Sequence, residues 1–366
     1  MEVQSAARWG ILVYSSASPD IAPAAQASLD DVLKTPLADG VQLAAQLGTA
    51  QEIRRVCSAA GKDFSMPSED MSVRSTLEDF LRWGMKAVPA ERYLLVLGGH
   101  GSGFMGSVSD TARRHVMPPQ ETRAALRDVG LSPDVLVLNS CLEGNTEVAS
   151  ELAPEARYIV ASQGLQAGKG IPLAEAFSHI VAQTRPIDAA RYLVEAASHT
   201  PQRVPMLSAL DESQAGAVGA ALNVLGDALI RTPGALGIAR EQISAMRDFR
   251  EGEPWDHPLV DLKDVRALTE RLAGDARLQG TAVVSAARAL DQAVASMVVA
   301  STATDVSADG VAMPRPDAHG LSVYVPAAPL RIPIAVRQYD ELALSAQAPR
   351  WHEAVKQLGG GTVEHD

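Results

Sequence analysis

The sequence predicts an α/β fold, a sandwich of helices around a mostly parallel central sheet, with a mainly helical C-terminal part. Up to about residue 212, short apolar runs alternate with amphipathic stretches, as strands joined by crossover helices do. Beyond residue 213, almost every stretch has apolar residues at helical spacing. We therefore expect two units, residues 1–212 and 213–366, with one late strand at about 320–326 in the second.

The strand candidates of the first unit are brief and rich in Val, Leu or Ile, which is typical of strands buried on both faces. Pro89, Pro133 and Pro154 precede three of them, at points where a helix must already have ended. The candidates are Trp9–Tyr14, Val41–Leu47, Tyr93–Leu97, Val135–Leu138, Tyr158–Ala161 and Met206–Leu210.

The helix candidates of the first unit lie between these strands, at Pro23–Leu33, Ala50–Ala60, Thr76–Val88, Glu121–Val129, Thr146–Leu152, Leu173–Gln183 and Ile187–Ser198. Those of the second unit are Ser213–Ile230, Ala235–Arg250, Asp261–Ala273, Gly280–Ala300 and Tyr339–Gln357. Residues 301–318 are polar with Pro and Gly and are expected to form a loop. Cys57 falls on a predicted helix, where a core position is expected.

Composition excludes several classes of protein. The 366 residues are 46% hydrophobic and 21% charged, which is the balance of a folded globular chain. The net charge of −12 disfavours a nucleic-acid partner and a polybasic membrane anchor. No apolar run approaches the roughly 18 residues that cross a bilayer. Two cysteines are too few for a disulfide scaffold or a four-cysteine zinc site. The N-terminus lacks the basic region of a signal peptide. We therefore expect a cytoplasmic protein.

The residues that carry chemistry follow two strand candidates. His100 comes directly after Gly98-Gly99, and Cys141 after Asn139-Ser140. Ligands bind outside the carboxyl ends of parallel strands, so these side chains would emerge together if the strands are neighbours joined by the helix at Glu121–Val129. An imidazole beside a thiol takes its proton or stabilises the thiolate.

Each residue alone has a simpler interpretation. Taken alone, Cys141 is explained by the role of a small buried residue, and His100 by that of a capping or packing histidine. The coincidence of both at strand ends of one predicted sheet favours catalysis. The glycines around His100 would let the backbone approach a substrate and leave the Gly101 amide free for a developing oxyanion.

Two motifs resemble the clostripain family of cysteine peptidases. Gly99-His100-Gly101-Ser-Gly103 is similar to its HGSG, and the run from Asn139-Ser-Cys141 to Glu151-Leu152 is similar to its D-A-C-L-M-G-x-x-E-V-A-x-E-L. Further similar segments follow in the same order over nearly the whole chain, at Trp9–Tyr14, Leu207–Asp211, Val260–Leu262 and Gly320–Pro326.

The resemblance implies a caspase-like fold for residues 1–212 and a His–Cys dyad. His100 would be the base, Cys141 the nucleophile, and the amides of Gly101 and Cys141 the oxyanion hole. It implies a protein or peptide substrate and chemistry that needs no metal or cofactor, although some members of the family require calcium. Self-cleavage between the dyad strands is a recurrent activation step in that family, so the loop with Arg113-Arg114 is a candidate cut site; activation by a partner is the alternative.

The substrate pocket departs from the family pattern. Members of the family usually have Asp two residues before the nucleophile, where this chain has Asn139, and often a second acid where it has Lys169. With Ser140 and Gly168 as flanking substrate-binding residues, such a pocket is not suited to Arg or Lys alone, and an acidic, amide or small side chain fits at least as well. Alternatively, Lys169 points to solvent and other acids, such as Glu143 or Asp211, restore an acidic pocket.

Three functions remain open at this point. The leading prediction is a cysteine endopeptidase that is not strictly specific for Arg or Lys. The alternatives are a catalytically silent caspase-like binding module and a cysteine acyltransferase that uses the same dyad. The reactivity of the thiol toward an alkylating probe separates the silent module from the two enzymes.

Overall fold

The computed structural model describes residues 7–58, 61–111, 113–200, 204–249, 261–306, 312–326 and 333–359. Its strands are β1 (Ala7–Ser16), β2 (Val41–Gly48), β3 (Glu52–Cys57), β4 (Lys62–Pro67), β5 (Ala90–Gly98), β6 (Ser107–Asp110), β7 (His115–Met117), β8 (Val135–Asn139), β9 (Tyr158–Ser162), β10 (Leu207–Asp211), β11 (Leu262–Asp264), β12 (Val298–Ser301), β13 (Thr304–Val306), β14 (Ala312–Pro314) and β15 (Ser322–Tyr324).

The helices that cover this framework are α1 (Ala22–Lys34), α2 (Arg74–Ala87), α3 (Pro119–Val129), α4 (Thr146–Leu152), α5 (Leu173–Ser178), α6 (Pro186–His199), α7 (Ala215–Arg231), α8 (Ala235–Ser244), α9 (Val265–Gly274), α10 (Ala282–Met297), α11 (Pro333–Asp340), α12 (Ala343–Gln347) and α13 (Pro349–Leu358). Val260, in one of the motif-like segments, lies outside the described residues. None of the helices in the described part of the chain is long and apolar enough to cross a membrane.

The centre of the molecule is a nine-stranded sheet in the order β12-β10-β9-β8-β5-β1-β2-β3-β4. Its five middle strands, from β9 to β2, run parallel to one another, and antiparallel strands extend the sheet on both sides. The mostly parallel α/β sheet predicted from the sequence is therefore confirmed. The parallel strands bring their carboxyl ends to one edge, where a ligand site is expected.

The two faces of the sheet are covered by different helices. Alternate residues of β1 show the division, because Ile11 and Val13 pack on one face while Leu12 and Tyr14 pack on the other. The first face is covered by α1, α5 and α6, and the second by α2 and α3. A third apolar cluster, built mainly from α7, α8, α9, α10 and α13, packs behind the segment that follows Cys141.

The helix predicted at Ala50–Ala60 is wrong. Residues 52–57 form β3, which pairs antiparallel with β2 and forms a hairpin with β4. Ile53 and Cys57 are buried four residues apart, a spacing that also suits a helix face. Pairing with the existing sheet edge overrides that weak periodicity. Cys57 is consequently a core residue of a strand.

The second unit contains more strand than predicted. The late strand at 320–326 is present as β15, but among the described residues β11, β12, β13 and β14 accompany it. The predicted helix Gly280–Ala300 ends at Met297, and the next four residues form β12, which pairs with β10 and completes one edge of the central sheet. The β13–β14 hairpin lies within the predicted loop at 301–318. The C-terminal residues therefore help to build the sheet that carries the candidate site.

Candidate active site

The strands that precede His100 and Cys141 are neighbours. Strands β5 and β8 pair in parallel, with Gly98 opposite Asn139 at their carboxyl ends, and α3 lies in the crossover between them. Both candidate side chains line one open cleft at this edge. The topology thus brings together two residues that are 41 positions apart in the sequence.

Cys141 is held in a tight turn directly after β8. Leu142 adopts a positive φ of 67°, and its N–H donates to Gly164 O at 3.1 Å. The N–H of Gln166 donates to Cys141 Sγ at 3.2 Å, and the Gln166 side-chain amide donates to Ser140 O at 2.8 Å. A hydrogen bond donated to sulfur favours the thiolate, which is the nucleophilic form.

His100 is oriented by a carboxylate that the sequence analysis did not identify. Its Nε2 lies 2.8 Å from Asp20 Oδ2, on the segment between β1 and α1. A proton on Nε2 makes this a hydrogen bond donated to the carboxylate and leaves Nδ1 as the basic nitrogen. The side chains of His100 and Asp20 are 36% and 62% exposed, so the pair is accessible from the cleft mouth.

The β6–β7 hairpin supports both members of this pair. Ser109 N donates to His100 O at 3.3 Å, and Ser109 O accepts the hydroxyls of Ser16 and Ser18 at 3.0 and 3.3 Å. Thr111 N donates to Ser18 Oγ at 3.3 Å. Because Ser18 lies two residues before Asp20, the hairpin holds the turn that carries the carboxylate as well as the backbone of the histidine.

Gly101 lies where the His100 loop meets the Cys141 loop. A Cβ at this position would lie 2.5 Å from Cys141 O, 2.7 Å from Glu143 Oε1 and 2.8 Å from Ser140 Cβ. All three distances are shorter than any real Cβ contact, so only glycine allows the two loops this close. The close approach places the Gly101 backbone next to the candidate nucleophile.

Two buried carboxyl groups lie behind the nucleophile loop. Burial raises the pKa of Glu143 well above its ordinary value, an effect partly opposed by the backbone amides of Ser102 and Gly103. Burial also raises the pKa of Glu147 to about 7, although its Oε1 accepts the N–H of Tyr324 at 3.0 Å. These side chains connect the Cys141 segment to the His100 loop and to β15.

All four predicted substrate-binding residues, Asn139, Ser140, Gly168 and Lys169, line the cleft. The Lys169 ammonium lies 3.3 Å from Asp31 Oδ2 of α1. Neither Glu143 nor Asp211 is among the lining residues, so the acidic pocket considered as an alternative is not formed by them. In the described ranges, no group of three or more His, Cys, Asp or Glu side chains is arranged to hold a metal ion.

Sequence reasoning missed Asp20 and the contact of Gln166 with the thiol. A signal for Asp20 was present, because it follows the first strand candidate at the same sheet edge as the two catalytic candidates. The sequence did not reveal that β1 would be the neighbour of β5. The Gln166 contact comes from the loop after β9, and no spacing rule predicts which backbone amide will meet a thiol.

Comparison with known proteins identifies a family and a fold that this chain shares. The sequence model of the clostripain family matches residues 45–357. An inactive zymogen of a C11 protease from Parabacteroides distasonis has a TM-score of 0.71 at 18% identity, over 94% of this chain and 99% of that one. A secreted C11 cysteine protease from Bacteroides thetaiotaomicron, solved with an irreversible peptide inhibitor, has a TM-score of 0.71 at 14% identity, over 96% and 99% of the two chains. A search among curated proteins found no match.

Proposed function

The chain belongs to the clostripain family of cysteine-type endopeptidases, and we propose that it hydrolyses peptide bonds with Cys141 as nucleophile and His100 as base. The observation that carries the proposal is the meeting of these two side chains in one cleft, at the ends of adjacent parallel strands. The substrate is a protein or peptide, as the family implies.

The proposed reaction begins when His100 Nδ1 takes the proton of the Cys141 thiol. The thiolate attacks the scissile carbonyl, and the amides of Gly101 and Cys141 stabilise the negative oxygen of the tetrahedral intermediate. The carbon–nitrogen bond then breaks, the amine leaves with the proton from His100, and a thioester remains. A water molecule deprotonated by His100 hydrolyses the thioester and regenerates the thiol.

The two alternative functions make different predictions for this site. A silent binding module would have no activated thiol, whereas a Gln166 N–H bonded to Cys141 Sγ supports a reactive one. An acyltransferase would share the first step but pass the acyl group to an amine in place of water. Mass spectrometry of products formed with and without an added amine distinguishes transfer from hydrolysis.

We further propose that the enzyme is not restricted to Arg or Lys at the residue before the scissile bond. No Asp or Glu is among the described residues that line the cleft, and Lys169 is. A guanidinium or ammonium group buried there would lose its hydration without gaining an opposite charge. This supports the departure from basic specificity inferred from the sequence.

Self-processing is expected to depend on Cys141 if it occurs. The segment Ser107–Pro119 contains the β6–β7 hairpin, with Arg113 and Arg114 beside its turn, and one structural relative is described as a zymogen. Any cut in this segment of the wild type should be absent from Cys141→Ala on a denaturing gel. Identical fragments from both proteins would identify a contaminating protease instead.

The proposed dyad chemistry needs no metal, so chelation is expected to leave the rate within about twofold of the untreated enzyme. The measurement is peptide hydrolysis after incubation with excess EDTA and gel filtration. A full loss of activity that calcium restores would contradict this expectation and reveal a required ion. Magnesium added in place of calcium is the matched control.

A further inference from the structure

The cleft beside Cys141 combines an apolar wall with hydrogen-bond donors. Helix α1 supplies apolar residues to one side, among them Ala25, Leu29 and Val32. The loop after β9 supplies the other side, including Gly168, Lys169 and Gly170. Apart from His100, Lys169 is the charged residue among the described lining residues, so the lining contains a cationic side chain and no carboxylate.

The side-chain amide of Asn139 is oriented by a hydrogen bond from the loop after β9. The N–H of Ile171 donates to Asn139 Oδ1 at 2.8 Å, which fixes the orientation of the side-chain amide. Gly170 lies so close that a Cβ there would be 2.2 Å from the same oxygen. Oδ1 accepts this bond, and the N–H groups of Nδ2 are the donors of Asn139 that suit a ligand carboxylate.

The ammonium group of Lys169 is kept near the cleft mouth by Asp31. The two side chains are 44% and 48% exposed, and Asp31 is not among the residues that line the cleft. Exposed ion pairs of this kind contribute little free energy to stability. A ligand carboxylate can therefore replace Asp31 beside Lys169 with little loss of free energy. Asp31 is thus an exposed counter-ion of Lys169 that lies outside the cleft lining.

We propose that this cleft binds the side chain of an acidic residue, Asp or Glu, whose own carbonyl is attacked by Cys141. Lys169 Nζ and Asn139 Nδ2 hold the carboxylate, and the apolar wall contacts the methylene groups. The assignment rests on the proposed peptidase function, since it is the position of Cys141 that makes this the pocket of the residue before the scissile bond. Charge-assisted hydrogen bonds of this type reject a ligand of the wrong sign.

The test uses fluorogenic peptides that differ only at the residue before the scissile bond: Asp, Glu, Asn, Gln, Leu, Ala, Arg or Lys. We expect kcat/KM for Asp or Glu to exceed that for Leu or Ala by about tenfold, and that for Arg or Lys by about a hundredfold. Lys169→Ala should remove the acidic preference, and Lys169→Asp, beside Asp31, should shift it toward Arg. Lys86→Ala, an exposed lysine on α2, is the matched control and should change nothing.

A second measurement does not require turnover. Irreversible ketone inhibitors that carry Asp, Leu or Arg at the same position are compared by their rates of labelling Cys141, read as an intact-mass shift that Cys141→Ala lacks. Asp31→Asn should speed labelling by the acidic inhibitor severalfold, because the competing counter-ion is gone.

The outcomes separate this proposal from the peptidase assignment. Cys141-dependent cleavage or labelling that does not favour Asp or Glu, or an acidic preference that survives Lys169→Ala, would overturn the acidic pocket and leave the peptidase intact. The absence of both cleavage and labelling with every probe would overturn the peptidase and this proposal with it.

Discussion

Replacing Cys141 with alanine is expected to lower peptide hydrolysis by about 10⁴-fold or more, because no other group in the proposed mechanism can form the thioester. His100→Ala should lose nearly as much, and the double variant should be no worse than either, since residues that act as a unit are not additive. The measurement is kcat/KM with the best peptide of the panel, on protein whose circular dichroism matches the wild type.

Cys57→Ala is the matched control for the nucleophile. It removes the chain's other cysteine, a buried core residue of β3. The Cys57 Sγ lies 3.8 Å from Ala87 O, and Cys57 is not among the residues that line the cleft. This variant should keep its activity per folded molecule and lose some stability from the cavity. Turnover of Cys141→Ala close to that of Cys57→Ala would contradict the dyad.

Asp20→Asn is expected to reduce the rate of peptide hydrolysis only partly. The side chain is 62% exposed, so its loss should lower kcat by only about tenfold and leave KM nearly unchanged, because the carboxylate contacts His100 and is not among the residues that line the cleft. A rise in KM with constant kcat would assign Asp20 to substrate binding instead.

Gly101→Ala is expected to reduce kcat by roughly 10²- to 10³-fold, the effect of losing one oxyanion donor. The new methyl group would collide with Cys141 O, Glu143 Oε1 and Ser140 Cβ, all of which belong to the nucleophile side of the site. These collisions are relieved only if the His100 loop moves away from Cys141. The measurement is kcat together with the melting temperature.

The control for this substitution is Gly216→Ala on α7, where a Cβ meets nothing within 4 Å. It should retain full activity and gain a little stability from the better helix propensity of alanine. Activity of Gly101→Ala within about twofold of this control would mean that the close approach of the two loops is not needed for catalysis.

Much of the fold and part of the site were predictable because they depend on local patterns. The apolar runs identified β1, β2, β5, β8, β9 and β10, and the strand-end rule placed His100 and Cys141 at one edge, as the structure confirms. Their catalytic roles, the substrate preference and the cytoplasmic location stay predictions.

The rest depends on pairing between distant segments. β3 was predicted as a helix, and its pairing with β2, which lies outside the local pattern, makes it a strand. Asp20 and His100 are 80 residues apart in the sequence. They meet because β1 pairs with β5. β12 follows directly after a long helix and pairs with the central sheet. The composition of its four residues does not predict this strand.

The contribution of β12 and β15 to the sheet and the nucleophile loop has a consequence during synthesis. Ser322 donates to Gly144 O, Tyr324 donates to Glu147, and β12 closes the edge of the sheet. Both catalytic candidates leave the ribosome well before these residues, by on the order of ten seconds at ordinary translation rates. A nascent chain therefore carries the thiol without the contacts that hold its loop in the folded protein, and we expect its peptidase activity to arise only after β12 and β15 have been made.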